Sequence, residues 1–169
     1  MPAPRGGARL EQASLWINRA LSAAAGVALA GMMLFTAFDV LMRALDRPVA
    51  GSVEVIGWLS AAAMALALGD VQVHRGHVAV TLVSERLRGR KAALLETANS
   101  LVALLLFGTA AVVILRYGAT LHRTGSLSET LQVVVYPWVY VVALGFAGLT
   151  LALAVDLLRS LQRLRAGAA

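Results

Sequence analysis

Long apolar stretches alternate with short clusters of charge along the whole chain. Residues 20–38 run for 19 positions without Asp, Glu, Lys or Arg, residues 55–69 for 15, residues 97–115 for 19 and residues 130–155 for 26. About 20 helical residues, at about 1.5 Å each, cross a hydrocarbon core of about 30 Å, so the first, third and fourth stretches suffice unaided. The second becomes long enough if Glu54 and Asp70 sit near the interfaces and residues 49–53 and 71–73 join the helix. An acid costs less there than at the midplane. The pattern predicts an all-α integral membrane protein: one domain over residues 1–169, with four transmembrane helices at about 20–42, 52–73, 93–115 and 134–157.

Two flanks, at about 8–19 and 77–90, read as amphipathic interfacial helices. In the first, Leu10, Ala13, Ile17 and Leu21 recur at helical spacing beside Trp16, while Arg9, Glu11, Gln12, Asn18 and Arg19 fill the other positions. A basic amphipathic helix carrying a Trp suits the membrane surface. A continuation of the first span beyond the bilayer fits the same residues equally well. The second flank carries Val78 and Leu82 ahead of the basic residues 86–91.

Composition sharpens the class. Of 169 residues 59% are hydrophobic and 14% charged, and the mean hydropathy is +0.76. Soluble domains average about 45–50% apolar and about 25% charged residues. Cysteine is absent, which removes disulfides, thiolate metal sites, iron–sulfur ligation and cysteine nucleophiles. The net charge of +6 needs no nucleic acid to explain it. Eleven Lys and Arg lie in the termini and the middle connection, against four in the other two connections. By the positive-inside rule both termini and the middle loop are cytoplasmic, where the basic residues meet anionic membrane lipids. A cleaved secretory signal is the rival reading of the first span. Its 19 uncharged residues exceed a 7–15-residue signal core, and residues 39–43 offer no small-residue cleavage site.

Candidate chemistry sits at the helix ends. Asp39 and Arg43, and Asp70 and His74, are four apart; Asp156 and Arg159 are three apart. Each acid lies one turn before a base, a spacing that favours local ion pairs. Glu54 opens the second span, across a short loop from Arg43, and either closes the first hairpin or faces a partner. His74, His77 and His122 lie outside the span centres and on opposite sides, which disfavours axial haem ligation or a shared metal site. Ser, His and Asp never gather where a triad could assemble, so no enzyme and no cofactor is expected. Gly26, Gly31, Gly69, Gly108, Gly145 and Gly148 suit close helix packing. Pro137 opens the fourth span, where its missing N–H does little harm, and Trp138 and Tyr140 follow at the outer interface.

The order of these features resembles the small permease subunit (DctQ-like) of tripartite ATP-independent periplasmic transporters, the TRAP transporters, over roughly residues 21–161. The resemblance lies in Arg43, Pro48 and Glu54 around the first hairpin; in Arg75-Gly76-His77-Val78-Ala79-Val80 after the second span; and in Thr130-Leu131, Pro137-Trp138, Tyr140 and Gly145 at the fourth. It implies a multi-pass protein of the bacterial inner membrane with cytoplasmic termini, not itself the transport path. A periplasmic solute-binding protein would capture an organic anion, typically a carboxylate. A large multi-span permease subunit, which would bind the sodium ions, would then import it by sodium-coupled symport. On this reading Arg43, Glu54, Arg75, His77, Pro137, Trp138 and Tyr140 are structural or partner contacts. Two other classes stay open: a stand-alone channel or exporter, and a membrane anchor of a redox complex.

Overall fold

The computed structural model describes residues 5–74 and 90–166. Their order is α1 (Arg5–Ala44), α2 (Ser52–Val73), α3 (Arg90–Thr124) and α4 (Tyr136–Ala166). Each contains a segment long and apolar enough to cross a membrane. α2 has 22 residues, about 33 Å, because its helix runs through both bounding acids. α1 has 40 residues, about 60 Å, and is unbroken from Arg5 onward. Residues 8–19 are thus helical and run without a break into the helix that follows. The flank expected at about 77–90 lies outside the described residues, apart from Arg90, which opens α3.

The helix ends follow from local chemistry. α1 closes with Asp46 in the left-handed region (φ 57°): its N–H donates to Arg43 O at 3.1 Å, and the N–H of Arg47 donates to Met42 O at 2.9 Å. This double bond pattern satisfies carbonyls that a helix end otherwise leaves bare, and Pro48 then prevents continuation. α3 ends in the same way, with Gly125 at φ 63° and Ser126 N–H donating to Leu121 O at 3.3 Å. Residues 126–135 fold into a tight turn, with a Leu127–Val134 bridge and a 2.8 Å bond from Ser128 N–H to Val133 O.

α2 and α4 form the centre. They run parallel in near register: Trp58 stacks on Trp138, Gly145 abuts Ala65, and Gln72 bonds Asp156. The buried residues are mostly small, Ala62, Ala63, Ala65 and Leu66 on α2 with Ala143, Leu149, Ala152 and Leu153 on α4. Small side chains let the backbones approach, and in lipid the dispersion gained by close approach is a principal source of helix association. A Cβ on Gly145 would land on the Ala65 carbonyl and 2.8 Å from Leu66 N. Gly69 and Gly148 are similarly crowded, whereas Gly26 and Gly31 have nothing within 4 Å of a built Cβ and Gly108 makes only ordinary contact with Thr150. The close-packing role expected for all six glycines thus belongs to three.

α1 packs antiparallel against α2 and also touches α4. Among the described helices α3 touches α4 alone, through Phe107 on Phe146 and Gly118 under Tyr140. The spatial order is therefore α1, α2, α4, α3. Thr36, Thr109 and Thr150 donate their hydroxyls to carbonyls four residues back, which keeps these polar groups satisfied within apolar helices.

Candidate functional site

Both short connections lie at one end of the protein, where two clasps hold them. In the first, Arg43 Nε donates to Asp39 Oδ2 at 2.8 Å and its Nη2 donates to Ser52 Oγ at 3.0 Å. This joins the last turn of α1 to the first residue of α2. In the second, Glu54 accepts the backbone N–H groups of Thr130 at 2.7 Å and Leu131 at 3.2 Å. Two amides on one carboxylate fix the turn 126–135 against α2. Leu131 completes the clasp by packing over Gly51, whose φ of 74° and crowded Cβ position both require glycine. Glu54 therefore ties the first hairpin to the α3–α4 connection, a partner that sequence spacing did not single out.

Aromatic residues stack beneath these clasps. Trp138 lies face to face with Trp58, ring centroids 5.6 Å apart and planes 19° apart. Tyr136 meets His122 edge-on at 4.6 Å, and Tyr140 lies against Gly118. Pro137 is the second residue of α4, where its absent N–H costs no helical bond. Of the seven residues singled out from sequence, Arg43, Glu54, Pro137, Trp138 and Tyr140 thus gather at this end; Arg75 and His77 lie outside the described residues.

The opposite end carries a polar network across three helices. Gln72 of α2 donates to Asp156 Oδ2 of α4 at 2.8 Å. Arg159 pairs with Glu11 of α1 and reaches Asp156 at 3.7 Å. Glu11, Ser14 and Leu15 face Val73, Ala152, Val155, Asp156 and Arg159 across a small cleft. The three acid–base pairs expected from spacing all form, with His74 Nδ1 3.4 Å from Asp70. The cross-helix partners Glu11 and Gln72 were not anticipated. In sequence Glu11 is one of several polar residues on a flank and Gln72 a lone polar residue near a helix end, and neither position names its partner.

The remaining surface is apolar. On α3, Leu101, Val102, Leu105, Leu106, Val112 and Val113 are all exposed, and none of its most apolar 18-residue window is buried. Val27, Met33, Leu34 and Leu41 do the same for α1. Among the described residues no three His, Asp or Glu side chains group as metal ligands.

Four apolar helices, clasped at both ends and bare along two outer faces, define a multi-pass helical membrane protein. Residues 32–163 match the family of tripartite ATP-independent periplasmic transporters, DctQ component, and the chain belongs to that family. It is thus the small membrane subunit of a TRAP transporter, a transport component. No curated protein and no solved structure matches it.

Proposed function

We propose that the chain is the scaffold subunit of a sodium-coupled importer of an organic anion, a carboxylate, and that it carries neither solute nor ion itself. Its partners are a large multi-span permease subunit, which binds the sodium ions, and a periplasmic solute-binding protein. The observation that carries this reading is the apolar face of α3, which is exposed among the described residues and has only α4 of the described helices behind it. A surface of that extent needs lipid or another helical protein against it. The Lys and Arg bias supports cytoplasmic termini in the bacterial inner membrane, which puts the Arg43 and Glu54 clasps on the periplasmic side. There they hold the loops in one shape for a partner to meet.

Purification of the tagged chain from native membranes in mild detergent, with mass spectrometry of its companions, tests the reading. A much larger multi-span protein at about equal ratio is the expected result. Recovery of the chain alone, with transport by that chain in liposomes, would refute it. Glu54→Ala and Arg43→Ala, singly and together, probe the clasps: uptake and assembly unchanged in all three variants would remove them from the mechanism.

A further inference from the structure

Asn18 is the most thoroughly buried side chain among the described residues, with 0% of its surface exposed. It lies on α1 but faces two other helices. Its Nδ2 donates to Ser14 O at 2.9 Å and to Ser14 Oγ at 3.3 Å, and Ser14 is itself 2% exposed. The amide oxygen has no hydrogen-bond donor. It fills the space that a Cβ on Gly69 of α2 would need, and stands 2.9 Å from where a Cβ on Gly148 of α4 would be. A carboxamide therefore sits in a notch made by the absence of two side chains, one on each central helix. The Cα–H groups of glycine are weak donors, and two glycines lie beside this oxygen.

We propose that Asn18 is a register key: it locks the N-terminal part of α1 into the groove between α2 and α4, so that these three helices move as one body and the segment before residue 20 stands against them, not along the membrane surface. The key works because its fit depends on both glycines and on one depth of insertion. A shift of α1 by one residue would press the amide against side-chain-bearing positions of α2 and α4. The Glu11–Arg159 pair lies about two turns nearer the N-terminus and fixes the same segment to α4. This assignment concerns the chain's own packing and stands whether or not the transport reading does.

The sequence has no cysteine, so introduced thiols are the only ones in this chain. Leu15→Cys with Val73→Cys places one thiol on each side of the cleft between α1 and α2. Oxidative cross-linking of that pair, in the full chain expressed with its companion subunits in native membranes, reads whether α1 is seated. Gly69→Ala is expected to lower the cross-linking rate several-fold, because its methyl group and the Asn18 amide claim one space. Adding Asn18→Ala removes the amide, leaving the methyl group a 3.1 Å approach to the Gly148 carbonyl carbon, and is expected to restore most of the rate of Asn18→Ala alone. Gly145→Ala is the control: its methyl group collides with the Ala65 backbone, so Asn18→Ala is expected to leave that defect unrepaired. Should Gly69→Ala fail to accumulate, the recovered level of the Asn18→Ala/Gly69→Ala chain is the readout. Cross-linking of Gly69→Ala at the parent rate overturns the proposal, as does a double variant that stays defective or an Asn18→Ala change that repairs Gly145→Ala equally well.

Discussion

Gly145→Ala is a small change with a large expected consequence. The added methyl group would sit 2.8 Å from Leu66 N and closer still to the Ala65 carbonyl, where 3.4–4 Å is ordinary contact. The obstacle is helix backbone, which cannot rotate aside as a side chain can. α2 and α4 must therefore separate by roughly 1 Å, and a gap of that size forfeits about a quarter to a half of the dispersion energy at each contact it opens. The contacts at stake are those of the small-residue seam: Ala62, Ala65 and Leu66 against Ala143, Leu149 and Ala152. Overpacking of this kind costs about 1–3 kcal/mol. Each kcal/mol corresponds to a fall in Tm of about 2–4 °C for a domain of this size. Gly26→Ala and Gly31→Ala meet nothing within 4 Å and are expected to be neutral or to gain up to about 1 kcal/mol from better helix propensity. Thermal denaturation in detergent, followed by the fraction remaining monodisperse on size exclusion, compares the three. Equal melting of Gly145→Ala and Gly26→Ala would refute the close parallel packing of α2 on α4.

Further expectations follow from the clasps and the network. Glu54→Ala should speed amide hydrogen exchange at Thr130 and Leu131 while leaving the helix interiors protected, and Glu54→Gln, which keeps one carbonyl oxygen, should speed it less; unchanged exchange in both would remove the clasp. Trp58→Leu should abolish the near-ultraviolet circular dichroism of the Trp58–Trp138 stack and cost about 0.5–1.5 kcal/mol beyond lost area; a spectrum reduced only by one chromophore's share would count against the stack. Arg159→Ala should destabilise by less than about 1 kcal/mol, since the guanidinium is a third exposed, and the loss should shrink at about 1 M salt. A penalty independent of salt would mean that packing of the side chain, and not charge, holds α1 to α4.

Much of this architecture was legible from hydropathy alone, because a span needs only length and apolarity and both are written locally. The acid–base pairs were legible for the same reason, being three or four residues apart on one helix. What escaped is whatever depends on helices meeting. Glu54 could be assigned to the start of α2, but its partners Thr130 and Leu131 lie 76 and 77 positions away, and their amides carry no residue-specific signature. Asn18 looked like one of several polar residues on an amphipathic flank, since periodicity cannot say which helix will bring a glycine opposite it. The same limit applies to the six glycines: equal in sequence, they divide into crowded and open positions only once α1, α2 and α4 are set side by side.

The attachment of α3 through α4 alone has a consequence for biogenesis. When the ribosome has delivered residues up to Thr124, α1 and α2 already form a clasped hairpin, but α3 has no protein neighbour among the described residues. It must wait in the bilayer, or beside the insertion machinery, until α4 emerges and threads between it and α2. The fourth helix is therefore the one that joins α3 to the other described helices. A chain truncated in the α3–α4 connection lacks the helix that packs on both α2 and α3, so among the described residues the α1–α2 hairpin and α3 lose the element that joins them.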